Sequence, residues 1–176
     1  MIEQHYLDDS LVQLRKLKAQ ADKAMAQVDD RQFFELLDAD ANSIALIVKH
    51  VAGNMRSRWT DFLTSDGEKA DRHRDGEFER DAEDTREALL ARWEAGWELL
   101  FNTVTSLQPA DLGKTVMIRQ EPHTVVQAIN RQVSHYSAHV GQIVLLAKHF
   151  AGSSWRTLSI PKKNQQDNRR VGGISC

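Results

Sequence analysis

The stretch that decides the fold is PHTVVQAINRQVSHYSAHVGQIVLLAKHF, residues 122–150. Val125, Val126, Ile129, Val133, Tyr136, Val140, Ile143, Val144 and Ala147 fall mostly three or four apart. That period predicts one long amphipathic helix rather than a strand. Pro122 is read as its first turn, because a ring-fixed φ and a missing N–H suit that position. Gly152 is read as its stop.

Working outward, the same period recurs three times. Leu7, Leu11, Leu14, Leu17, Ala21 and Met25 stripe a helix over 2–28. Ile44, Ile47, Val48, Val51, Met55, Trp59, Phe62 and Leu63 give a broad apolar face to a second over 42–63, capped by Asn42 or Ser43. Thr85, Leu89, Trp93, Gly96, Trp97, Leu100, Phe101 and Val104 line a third over 82–107. With only three prolines, long stretches are free of helix breakers. The fold class expected is all-α, a four-helix bundle. Residues 64–81 are dense in charge with no apolar period, and read as a long, solvated crossover between the second and third helices. Residues 29–40 place Phe33 and Phe34 over the bundle end, and Thr115–Ile118 is a short extended piece before the last helix. Gly53 inside the second helix costs about 1 kcal/mol against Ala, which suggests close backbone packing there or simple tolerance.

A chain of 176 residues suits one domain. Its 41% hydrophobic content can fill a core. A formal charge of −2 argues against a nucleic-acid partner. No apolar run reaches the roughly 18 residues of a membrane span. The start, from Met1 to Asp9, lacks the basic and apolar regions of a signal peptide, so a cytoplasmic location is expected. The single Cys, Cys176, excludes an internal disulfide framework and a cysteine zinc cage. From residue 152 a basic tail carries Arg156, Lys162, Lys163, Arg169 and Arg170, its first part packing through Trp155, Leu158 and Ile160.

Three of the seven histidines are placed for chemistry. His135 and His139, four apart, share one helix face. His50 lies mid-way along the apolar second helix. Brought together they offer three nitrogens and an open coordination position, the pattern of a catalytic metal site. The plain alternative is a structural histidine cluster. His135-Tyr136-Ser137-Ala138-His139 has no Glu after the first His, which disfavours zinc-protease chemistry. No Glu-x-x-His repeat on two helices supports a di-iron site.

Around these lie candidate pocket residues. Asn54 is one turn after His50, and Arg131 one turn before His135, where a guanidinium can hold an anionic group bidentately or make an ion pair. Arg58 can orient a carboxylate but reads first as a solvated helix-end pair with Asp61. Gln142, three after His139, can hydrogen-bond a ligand histidine. Asp111 and Glu121 are remoter acid–base candidates. Tyr136 and the four tryptophans read as core packing.

Ile47-Val48-Lys49-His50-Val51-Ala52-Gly53-Asn54, Arg58-Trp59-Thr60-Asp61-Phe62 and His135-Tyr136-Ser137-Ala138-His139-Val140-Gly141-Gln142-Ile143 resemble the DinB/YfiT-like superfamily, in a branch described only as a domain of unknown function. The similarity covers residues 1–161, taken as the domain, and leaves 162–176 as a loosely held basic tail. The resemblance implies a four-helix bundle, often a homodimer, with a divalent transition metal, zinc or nickel, on His50, His135 and His139. It further implies a small-molecule substrate, with low-molecular-weight thiols used by some members. The function expected is a metal-dependent S-transferase or hydrolase, the metal activating a thiol or water toward a small electrophile. The alternative is a non-catalytic metal-binding or stress-response protein.

Overall fold

The computed structural model describes residues 1–160; the reading of 162–176 as a basic tail lies outside the described residues. The elements in order are α1 (Ile2–Met25), α2 (Asp30–Phe34), α3 (Ile44–Trp59), α4 (Arg86–Ser106), β1 (Thr115–Ile118), β2 (Glu121–Thr124) and α5 (Val125–Ala151). The protein is mostly helical, with one two-stranded antiparallel sheet.

Apolar stripes decide which helices meet. α1 lies along α5 and α3 along α4, with further contacts between α3 and α5 and between α1 and α4. Leu14, Ile44, Ile47, Met55, Trp59, Trp93, Trp97, Leu100, Ile129 and Tyr136 are buried together. Gly96 lets α4 approach α3 closely, since a Cβ there would stand 3.2 Å from Met55 Cβ. Trp93 and Trp97 meet edge to face at 5.5 Å, which makes them packing residues rather than a ligand cage.

Side-chain caps set the helix ends, and they move several expected boundaries. Ser43 accepts the Leu46 N–H and starts α3. α3 ends at Trp59 rather than 63, because Thr60 is extended and Asp61 takes φ 48°. Thr85 accepts the Ala88 N–H, so it caps α4 instead of lining its inner face. α1 stops at Met25 rather than 28, and Arg86 donates to the carbonyls of Met25 and Val28 at that end.

The largest departure is at Pro122. It does not open the last helix; it lies in β2 opposite Met117. α5 starts three residues later, where Thr124 and Gln127 form a reciprocal capping box. The expected extended piece, Thr115–Ile118, is β1, and Val116 and Ile118 face the core.

Residues 64–81 are not a solvated loop. Lys49 Nζ, on α3, donates to Glu79 O, Asp81 and Asp84. Ser57 Oγ donates to Gly67 O and accepts the Lys69 N–H. The Gly67 N–H donates to Met117 O in β1. The segment is thus bolted to α3 and to the hairpin, with Arg72 and Glu77 turned inward to partners while Asp71, Asp75 and Arg80 stay exposed. Among the described residues no helix is long and apolar enough to cross a membrane.

Candidate metal centre

α3 presents His50, and α5 presents His135 and His139 one turn apart. The three offer ligand atoms that all lie within 4.8 Å of one another. His135 Nε2 stands 3.3 Å from His50 Nε2 and 3.1 Å from His139 Nε2. In a tetrahedral zinc site with bonds of about 2.0–2.1 Å, ligand nitrogens stand about 3.3–3.4 Å apart. The two spacings from His135 are close to that value, and the third lies within 4.8 Å, so the cluster could hold one cation.

The outer ring nitrogens settle the tautomers. His50 Nδ1 donates to Glu77 Oε2 at 2.9 Å, and His139 Nδ1 donates to Gln142 Oε1 at 2.9 Å. A neutral imidazole carries one proton, so both rings point a bare Nε2 lone pair inward. Two lone pairs aimed at one point need a cation or a proton between them. His135 can satisfy at most one with its own Nε2–H, and its buried Nδ1 has no partner among the described residues. A divalent metal satisfies all three nitrogens at once, so the donor set fits one.

Burial favours the neutral form of His135 and His139. Burial, then the charges of His139, His50, Arg72 and Arg58, push the His135 pKa down to about 3. Burial also lowers His139, against the opposing hydrogen bond from Gln142. Neutral imidazole is the form that ligates.

Glu77 anchors the site from the segment read as solvated loop. Burial raises its pKa, but hydrogen bonds from His50 and Arg72 outweigh that and hold it below the usual range. Arg72 grips it bidentately, Nε on Oε1 and Nη2 on Oε2, each at 2.8 Å. The carboxylate lies against the Cα of Gly53, where a Cβ would collide with it. The close neighbour at Gly53 is therefore the Glu77 side chain, which orients the His50 ring. Phe78 stacks on the His50 ring at 4.6 Å.

The pocket candidates divide. Asn54, Arg58 and Arg131 line a cavity of about 260 Å³ that opens beside His50 and His135. Arg58 is buried, not the solvated partner of exposed Asp61. Arg131 has no carboxylate within ion-pairing distance among the described residues, so its ion-pair reading falls away. Gln142 holds His139, as its spacing predicted. Asn54 accepts from the Tyr136 hydroxyl, which itself accepts from Trp59 Nε1, a polar chain through the core. Asp111 pairs with Lys114 and accepts the Gln108 N–H, and Glu121 is exposed in β2; neither lines this cavity.

Sequence reading missed Glu77, Arg72, Arg74 and Arg119. Arg74 and Arg119 also line the cavity. The usable signal was Gly53, three residues after His50 on a helix that otherwise avoids glycine. A larger hollow of about 410 Å³ lies behind Glu77 between α3 and α4 and is lined by none of the three histidines.

A family model described as protein of unknown function (DUF1572) matches residues 1–164. No curated protein and no solved structure matches the chain.

Proposed function

The chain belongs to the DUF1572 family, and we propose that it is a metal-dependent enzyme built as a DinB-like four-helix bundle. Zinc or nickel sits on His50, His135 and His139, and a thiol or water is activated toward a small electrophile. The observation that carries this is the convergence of three Nε2 atoms whose outer nitrogens are held, on two of the rings, by Glu77 and Gln142. Such partners fix ring orientation and raise ligand basicity. The adjoining cavity favours catalysis over mere metal storage, because it leaves room for a reactant beside the ligands.

A bound divalent metal supplies a Lewis acid that lowers the pKa of water or a thiol toward neutrality. The chain's own residues do the rest. Glu77 holds the proton on His50 Nδ1 and keeps Nε2 free. Both of its oxygens are engaged, so it serves as an anchor and not as a mobile base. Gln142 does the same for His139. Asn54 lines the cavity, its carbonyl occupied by the Tyr136 hydroxyl.

The reading includes a homodimer, a cytoplasmic location and, for the thiol branch, a low-molecular-weight thiol as co-substrate. Metal analysis of untagged protein after zinc or nickel loading and desalting tests the centre. About one ion per chain is expected, lost in His139→Ala while the helical circular-dichroism signal persists. Loaded protein is then incubated with glutathione and 1-chloro-2,4-dinitrobenzene, and with activated esters for the water branch. Absence of bound metal in the wild type overturns the reading; bound metal with no turnover on either arm leaves the non-catalytic alternative.

A further inference from the structure

The cavity beside the histidines is walled by arginine: Arg58, Arg72, Arg74, Arg119 and Arg131 all reach it. Five guanidiniums in about 260 Å³ is an arrangement that ordinary folding does not require. Glu77 and Glu68 engage all three nitrogens of Arg72, but the other four are less fully matched. Glu77 is spent on Arg72 and His50. Glu68 is shared among Arg72 and Arg119 at 3.2 Å and Arg58 at 3.6 Å. Arg74 has one carboxylate partner among the described residues, exposed Asp75 at 3.5 Å, and lies over the Phe78 ring.

Two guanidiniums stand out. Arg58 is 3% exposed, and among the described residues its buried Nε and Nη1 have no hydrogen-bond partner. Buried charged donors left unmatched are costly and rare, and this side chain is one of those that line the cavity. Arg131 is exposed at the rim with no carboxylate partner among the described residues. It stands one turn before His135 on α5, so what it grips lies next to the metal ligands.

The backbone has been shaped to deliver a third. Arg119 and Gln120 form the two-residue turn between β1 and β2, with φ 55° and 63°. That left-handed conformation suits Asn-Gly, not Arg-Gln. Asp66 holds it, its two oxygens accepting the N–H groups of Arg119 at 2.9 Å and Gln120 at 2.7 Å. The outcome is an arginine at the mouth of the cavity. Unfavourable backbone maintained by a buttress is a mark of functional sites.

We infer that this cavity binds the substrate through a doubly charged oxyanion, a phosphate-type group or a pair of carboxylates. Arg131 and Arg58 are its principal donors, Arg119 and Arg74 stand at its mouth, and its electrophilic centre faces the three histidines. Guanidinium forks match such oxyanions bidentately, which a lysine cluster would not. For the reaction, this rests on the metal-centre reading; for binding, it stands on the arginines alone.

Isothermal titration with methyl phosphate and with succinate, against dimethyl succinate as neutral control, tests it on metal-free and zinc-loaded protein. Saturable binding of one or both anions and none of the ester is expected, weakened by added salt. Binding of methyl phosphate alone, or of succinate alone, decides which oxyanion the site takes. Arg131→Gln, an exposed position, should weaken binding by about tenfold or more, as loss of a charge-assisted pair does, with zinc content unchanged. Arg119→Gln provides an independent second variant with a smaller loss. If neither anion saturates, or if Arg131→Gln binds as the wild type does, the inference is overturned while the metal centre can still stand. If anions bind and zinc does not, the metal reading fails and the anion site survives.

Discussion

Glu77 and Gly53 occupy one another's space: the carboxylate that receives the His50 Nδ1–H rests where a side chain at residue 53 would be. In an ordinary helix Gly→Ala gains about 1 kcal/mol from propensity alone. Here Gly53→Ala drives a methyl into a carboxylate that Arg72 and His50 hold on both oxygens. His50 then loses its orienting partner. Zinc affinity is expected to fall roughly 10–100-fold, the usual effect of losing such a partner. A competition titration with a chromophoric chelator reads it, and unaltered affinity would separate Glu77 from the metal site.

Removing the carboxylate acts on stability as well. Arg72's side chain is only 3% exposed, and Glu77 is its bidentate partner. Breaking a buried pair from one side costs about 3–5 kcal/mol. Glu68, 3.2 Å from Arg72, remains to share the charge and draws the loss to the low end. Glu77→Ala is therefore expected to lower the denaturation free energy by about 3 kcal/mol, while the double variant Glu77→Ala, Arg72→Met recovers part of it. Urea titrations of the metal-free proteins measure both.

The fold was legible in the sequence because apolar period is a strong signal over twenty residues and more; all four long helices were found from it. The clustering histidines were legible for the same reason, since an i, i+4 pair and a lone His on an apolar face survive any small error in the ends. The ends themselves were not, because caps act on single residues: Thr124 and Gln127 outcompete Pro122 for the start of α5. Glu77, Arg72 and Arg119 were hidden because burial of charge is decided by partners distant in sequence. A run such as residues 64–81 looks solvated until Lys49, Ser57 and Met117 are found bonding it from elsewhere.

Acid should loosen the metal-free protein in a window set by His135. Its pKa is about 3 folded and about 6.5 in the unfolded chain. Between those values the unfolded state binds the extra proton, so stability is full above pH 6.5 and declines as pH falls through that range. One such site gives at most about 1.4 kcal/mol per pH unit. The ring is partly open to solvent, so the slope should be shallower than that. His139 shifts the same way and adds to it. The carboxylates with lowered values, Glu77, Asp66 and Asp84, contribute only at lower pH, as the unfolded carboxylates protonate. Denaturation midpoints at pH 5 and pH 7 should differ, and His135→Gln should flatten the difference. A wild-type midpoint constant over that interval would contradict the neutral, desolvated ring.

The hairpin turn offers a change that separates stability from binding. Gln120 is exposed and holds φ 63°, a conformation that disfavours any residue with a Cβ. Its backbone N–H, not its side chain, is what Asp66 uses. Gln120→Gly keeps that bond and removes the steric cost. The folded protein should gain up to about 1 kcal/mol, less what the more flexible glycine adds to the unfolded chain. Asp66→Ala is the converse. It strips the acceptor from the N–H groups of Glu68, Arg119 and Gln120, so a loss of about 1–3 kcal/mol is expected. Because Arg119 rides on the same turn, Asp66→Ala should also weaken anion binding, whereas Gln120→Gly should leave it unchanged. Thermal melts paired with succinate and methyl phosphate titrations distinguish the two. Weakened stability in Gln120→Gly would mean that the left-handed turn is not what strains this hairpin.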